Sequence, residues 1–302
     1  MVFEKDCSNI IPLRLEKLIG IGQEGRTYQA VRNDTNEVVA VKCILLDFDQ
    51  SAQEKKIKHY QTHLQKIGKL DHPNLVRHIH CQRDAERHES GLPQYHIIME
   101  FCKGAPLSDI VKTITMTPVL LRRWTRQLVE GIAYLHDDLH CVHRDIKGSN
   151  ILLSSMDIST CQLKISDMGD MKFLRSETTQ VNEVSGYKGT FAFMSPEIIV
   201  ELDKHNVGRR TDIWSLGCVV VEMVTGRLPK FVNISDGREL TGMHAVMYFV
   251  AMGGSPVIPD NLPGPVADFI GNCLRHNPAD RPSAVELKEH SFLSADDIIT
   301  SP

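Results

Sequence analysis

The run "CVHRDIKGSNILL", Cys141 to Leu153, decides how the rest of this chain is read. Apolar ends enclose a packed polar centre: His143, Arg144, Asp145, Lys147 and Asn150. Such an insert is either an ordinary salt-linked loop or a place built to handle charge. Asp145, Lys147 and Asn150 stand at positions i, i+2 and i+5. A carboxylate there can orient a hydroxyl and take its proton late in a phosphoryl transfer. The lysine can neutralise the moving group, and the amide can hold a metal ion.

Working outward, "KISDMGD" follows an alternating "QLKIS" strand and offers Asp167 as a second oxygen ligand for a divalent ion. Upstream stands "IGIGQEGRTY", with Gly20, Gly22 and Gly25. A bare GxGxxG is weak evidence. A dinucleotide site needs strand, loop, then helix, whereas here the strand-like "TYQAV" follows. That favours a hairpin whose backbone N–H groups close over phosphates, against a glycine-rich turn with no ligand. Next comes "VAVK", ending at Lys42. A lysine at the end of an apolar strand either meets a phosphate or reaches solvent at a strand edge. Each residue alone is most simply an ordinary loop or surface group; the four motifs in this order are not.

The bulk of the chain agrees with a globular protein. Its 302 residues are enough for one large domain or two lobes with separate cores. A 42% hydrophobic and 24% charged composition with net charge -4 gives no sign of a nucleic-acid or membrane partner. No run of about 18 apolar residues is present, and the first residues do not read as a secretory signal. Eight scattered cysteines without a CxxC pair predict free thiols, a reducing compartment and a cytoplasmic location.

Periodicity divides the chain. The first third reads as strands: "RLEKLIGIGQEGRTYQAV" broken by a turn, "EVVAVKCIL", "HPNLVRHIHC" and "QYHIIMEF". One helix intervenes, with Ile57, Tyr60, Leu64, Ile67 and Leu70 at steps of three and four. After "CKGAP", residues 102–106, the pattern turns helical. "VLLRRWTRQLVEGIAYLHDD" carries Leu121, Trp124, Leu128, Ile132 and Leu135 on one stripe. "TDIWSLGCVVVEMVTG" is apolar nearly all round and predicts a buried helix stopped by Gly226. "GPVADFIGNCLRH" and "SAVELKEHSFL" predict further helices.

With these motifs in order the chain resembles the eukaryotic protein kinase family. "GIGQEG", "VAVK", "HRDIKGSN", "DMG", "SPE" and "DIWSLG" match its signature, with Arg281 in "RPS" as the late arginine. The resemblance spans about residues 13–293, leaving 1–12 and 294–302 as short flanks. It implies an α+β, two-lobed fold: a β-rich N-lobe over 13–101, a hinge near 100–104 and a mostly helical C-lobe over 105–293, with ATP in the cleft. On that pattern Asp145 is the catalytic aspartate, assisted by Lys147. Asn150 and Asp167 bind Mg2+, and Lys42 holds nucleotide phosphates. Ile19, Gly20, Ile21, Gly22, Gly25 and Thr27 form the roof. Met99 backs the adenine, Glu100 to Cys102 form the hinge, and Ala40 and Leu152 sandwich the base. Glu197 and Arg281 form a buried ion pair. The lysine at 147 resembles serine/threonine kinases. "GTFAFMSPEII" and the late "HSFL" are similar to MAP kinase kinase kinases, in particular the fourth MEK-kinase type. That similarity implies a MAP kinase kinase as protein substrate, and activation by an upstream kinase or by autophosphorylation at Thr179 or Ser185. Arg144 would pair with the added phosphate.

The pattern also breaks. The family's front-helix glutamate falls at His63, counted nine residues back from His72 and 21 forward from Lys42. A histidine does not replace that carboxylate by charge. Glu24 replaces an aromatic at the glycine-loop tip, Thr27 a valine, Met168 the phenylalanine of "DFG", and Ser195 an alanine. Two readings follow: an active serine/threonine kinase, or a weakly active or silent pseudokinase acting as a scaffold or allosteric partner. A small-molecule phosphotransferase fits less well, because "GTFAFMSPE" resembles a peptide-seating segment.

Overall fold

The computed structural model describes residues 10–22, 25–46, 49, 51, 54, 57–58, 60–62, 71–83, 93–168, 172–173, 191–200, 208–233 and 236–294. The chain forms two compact units, Met1–Lys103 and Gly104–Pro302.

The first unit is built on an antiparallel five-stranded sheet in the order β1-β2-β3-β5-β4. Its strands are β1 (Leu13–Ile21), β2 (Gly25–Arg32), β3 (Val38–Leu45), β4 (His78–Arg83) and β5 (Gln94–Glu100). The predicted strand over "HPNLVRHIHC" therefore shortens. Residues 73–74 form a turn in which the Leu75 N–H donates to the His72 carbonyl at 3.1 Å, and the ladder opens only at His78.

Strand β3 is central, and both of its faces are covered, which is why "VVAVKCIL" reads as one apolar run. Val39, Val41 and Cys43 pack with Ala30 and Ile98 on one face. Ile44 packs with Ile57, Tyr60, Tyr95 and Ile97 on the other. Residues 51, 54, 57, 58 and 60–62 are helical, so Ile57 and Tyr60 behave as their spacing predicts. Leu64, Ile67 and Leu70 lie outside the described residues. By strand alternation Lys42 belongs to the same sheet face as Ile44, the face covered by this helix.

The second unit is mostly helical, so the α+β expectation holds. It contains α1 (Leu107–Ile110), α2 (Pro118–Ala133), α3 (Pro196–Val200), α4 (Arg210–Thr225), α5 (Met243–Ala251), α6 (Gly264–Cys273), α7 (Ala284–Lys288) and α8 (Ser291–Ser294). Helix α2 starts where Pro118 follows the Thr117 cap, whose hydroxyl accepts from the Leu120 N–H. Its stripe of Leu121, Trp124, Leu128 and Ile132 is buried, and the helix runs into a π-turn, Tyr134–Asp138, that buries Leu135. Helix α4 is buried from Thr211 through Met223 and stops at Gly226, which adopts φ 65°.

Two helical expectations change. "SAVELKEHSFL" makes two short helices. Ser283 and Glu286 form a capping box on α7, and His290 Nδ1 accepts the Phe292 N–H at 3.1 Å to open α8. Helix α5 has no counterpart in the sequence reading: it is apolar on several sides and leaves Tyr248 exposed, so no single stripe announces it. Short ladders complete the unit: β6 (Cys141–Val142) pairs with β9 (Lys172–Phe173), and β7 (Ile151–Leu153) pairs with β8 (Leu163–Ile165).

Candidate active site

The run from Cys141 to Leu153 is a loop between β6 and β7, and its polar residues converge. Lys147 Nζ donates to both oxygens of Asp145, at 3.0 and 2.7 Å. Asn150 Nδ2 donates to the Asp145 carbonyl at 2.9 Å and to Asp145 Oδ2 at 2.8 Å. Both amide hydrogens of Asn150 are thereby spent within the loop, which leaves its Oδ1 as the available acceptor.

Residue 167 is brought to the same loop through its neighbour. Ser166 donates from its N–H and its hydroxyl to the Asn150 carbonyl, each at 2.8 Å. His143 Nε2 meets the Ser166 carbonyl at 2.9 Å, while His143 Nδ1 accepts the Asp145 N–H at 3.3 Å. Through these two contacts His143 is a strut between the two motifs. Asp167 is exposed and holds φ 58°, and Arg144 holds φ 72°. Non-glycine residues enter this region at a cost of about 1–3 kcal/mol, so the surroundings must fix them.

Much of that fixing comes from Asp212, which lies fully buried on α4. Its oxygens accept the His143 N–H, the Arg144 N–H and His136 Nε2, each at 2.8 Å. Burial pushes its carboxyl up, but the His136 hydrogen bond, the two imidazoles and the His143 amide hold it below the usual carboxylate range. The sequence reading used Asp212 only as a letter of "DIWSLG". Its sequence signal is an acid at the start of a helix whose next nine residues carry no charge. Met168, in the place of an aromatic, is buried as an apolar plug.

Glu197 and Arg281 form the expected pair. Two guanidinium nitrogens meet the two carboxylate oxygens at 2.7 and 2.8 Å. The remaining three N–H groups of Arg281 donate to the carbonyls of Arg275, Arg210 and His276, and its guanidinium carbon lies over the Trp214 ring, 5.1 Å from the centroid. Burial raises the Glu197 carboxyl, and the Arg281 hydrogen bonds and charge outweigh it and hold it low.

The sequence-predicted nucleotide-site residues belong to the first unit, Leu152 excepted. The glycine segment is a hairpin and not a strand-loop-helix: Gly20 pairs with Thr27, Ile21 with Arg26, and the Gly22 N–H donates to the Gly25 carbonyl at 2.9 Å. Ile19 and Ile21 are exposed. Lys42 pairs with Thr27 on one side and Ile97 on the other, and Ala40 with Met99. Glu100 accepts the Arg77 N–H at 2.7 Å, and Cys102 is partly exposed. Leu152 lies on β7 of the second unit, bridged to Pro106. Glu24, His63, Thr179 and Ser185 lie outside the described residues.

Asn150 and Asp167 present hard oxygen donors on segments tied together by Ser166. That suits Mg2+, which is bound through one or two carboxylates plus substrate phosphates. Among the described residues no group of three or more His, Cys, Asp or Glu forms a metal cage.

Comparison with known proteins gives one family. The model for the protein kinase domain matches residues 13–293. Mitogen-activated protein kinase kinase kinase 4 of Homo sapiens is 35% identical over 299 residues, covering 96% of this chain and 17% of the human protein. Mitogen-activated protein kinase kinase kinase 2 of Arabidopsis thaliana is 33% identical over 290 residues, covering 94% of this chain and 41% of that protein. Mitogen-activated protein kinase kinase kinase 19 of Mus musculus is 34% identical over 283 residues, covering 92% of this chain and 20% of its own length. The chain thus spans less than half the length of each of these relatives.

Proposed function

This chain belongs to the protein kinase family, and from that premise we propose that it is an ATP-dependent serine/threonine kinase of the MAP kinase kinase kinase type. Its substrate would be a protein hydroxyl, and the relatives' names point to a MAP kinase kinase. The observation that carries this reading is the Asp145 carboxylate, aimed by Lys147 and Asn150 and braced from behind by His143.

In this scheme the Asp145 carboxylate accepts a hydrogen bond from the incoming hydroxyl, directs the oxygen and takes its proton late. Lys147 sits at bonding distance from that carboxylate, so its charge lies where the phosphoryl group would pass. Asn150 Oδ1 and Asp167 would hold Mg2+, which neutralises polyphosphate charge when bound. Lys42 would hold nucleotide phosphates beside the Gly20–Gly25 hairpin, and Ile19, Thr27, Ala40 and Met99 would be the first unit's share of the adenine contacts. A reducing, cytoplasmic setting belongs to this proposal and rests on the eight scattered cysteines without a CxxC pair in the sequence.

One sequence feature favours a second reading. His63 stands where the family carries an acid opposite the strand lysine, so a weak or silent kinase acting by binding is the competing proposal. Radiolabel transfer from ATP to the chain itself and to an inactive MAP kinase kinase separates the two. Asp145→Asn should lower the rate about 10²–10⁴-fold. Equal background from both folded proteins would replace the enzyme with the scaffold. A rise in rate on His63→Glu would identify the missing acid as the limit.

A further inference from the structure

Glu222 lies on α4, ten residues past Asp212, and is 2% exposed. It faces the loop of the proposed active site. A β-carbon built on Gly148 would fall 2.2 Å from Glu222 Oε2 and 2.8 Å from its carboxyl carbon. The carboxyl therefore occupies the space that any side chain at 148 would need. Glu222 Oε2 is buried and has no hydrogen-bond partner among the described residues. We propose that Glu222 is a positioning residue: by seating its carboxyl against the backbone of Gly148, it holds the turn that carries Lys147 and Asn150 on either side of Asp145's oxygens. This rests on the kinase reading for its catalytic consequence, but not for the contact itself.

The chemistry of the contact depends on charge. Burial pushes the Glu222 carboxyl up to about 7, while the Gly148 amide and Lys112 favour its charged form and Asp109 opposes it. Lys112 and Asp109 are themselves paired at 3.0 Å at the end of α1, so their charges largely cancel at this distance. The ionised carboxylate attracts the Gly148 amide more strongly than the neutral acid does. Hence the hold on the turn tightens as the medium passes from mildly acidic to mildly basic.

Amide hydrogen exchange over residues 145–153 of the full chain tests this without requiring activity. Glu222→Ala should speed exchange in that segment about tenfold or more, while segments in α2 stay within about twofold. Glu222→Gln keeps the shape and should match the unaltered chain at pH 6. At pH 8, after correction for intrinsic rates, it should exchange about threefold faster. Phosphoryl transfer should follow: kcat of Glu222→Gln about threefold to tenfold lower at pH 8, equal at pH 6, with KM for ATP unchanged. Unchanged exchange in Glu222→Ala, an increase spread evenly over the chain, or parallel pH profiles for the unaltered chain and Glu222→Gln would overturn the proposal. If the unaltered chain transfers no phosphate, the kinase reading falls, and the exchange result still decides the role of Glu222.

Discussion

Two buried glutamates in the helical unit answer the same problem in opposite ways. Glu197 meets both forks of Arg281 and the Thr211 hydroxyl, and its carboxyl is held low. Glu222 is buried at least as deeply, faces one backbone amide, and its carboxyl is pushed up to about 7. Desolvation acts on both in the same direction. Donor count decides the outcome: a guanidinium with five satisfied N–H groups reverses the penalty, and a lone amide does not. A fixed buried charge is a strut, whereas an acid poised near neutrality is adjustable.

The largest test of this contrast removes the donor. Arg281→Ala leaves Glu197 buried without a counter-charge and should destabilise the chain by about 3–5 kcal/mol in urea unfolding. Replacing both members, Arg281→Met with Glu197→Leu, should recover much of that loss; no recovery would mean that the carbonyl contacts of Arg281 dominate. Glu222→Gln should act in the opposite sense. It removes a charge that burial disfavours, so it should stabilise the chain at pH 8 by on the order of 1–3 kcal/mol and slow the enzyme together, a stability–activity exchange.

Titration of stability sharpens the comparison further. Glu197 and Asp212 have depressed folded values. Their contribution is fully present above the unfolded carboxylate range and is lost as pH falls through the folded values. Glu222 has a raised value, so its burden is absent below the unfolded value of 4.5, grows as pH rises toward about 7, and is constant above. Unfolding free energies of the unaltered chain and Glu222→Gln should therefore converge below the unfolded value of 4.5 and separate by pH 8. The smallest effect is local: Met168→Leu keeps an apolar plug of similar volume and should cost less than about 1.5 kcal/mol, measured as a shift in Tm.

The parts of the molecule most legible in sequence are those with one clear period. Leu121, Trp124, Leu128 and Ile132 recur every three or four residues and are buried together. The "VVAVKCIL" run is a strand covered on both faces. The cluster of Asp145, Lys147 and Asn150 was readable because three polar side chains interrupt an apolar frame at short range. What the sequence hid is long-range or aperiodic. Asp212 supports His143 and Arg144 from about 70 positions away. Glu222 was absorbed into the apolar stretch around it, and its meaning lies in the missing side chain at 148. Helix α5 escaped notice because it lacks a polar face.

The π-turn from Tyr134 to Asp138 works as a phase shifter. Each residue of an ordinary helix advances the chain by about 100° around the axis, and the wider turn absorbs one extra residue before β6 begins. Deleting a single position there would return the helix to its regular pitch and rotate His136 away from Asp212. One of the three donors that hold the Asp212 carboxylate thus depends on a counting offset that no individual side chain encodes.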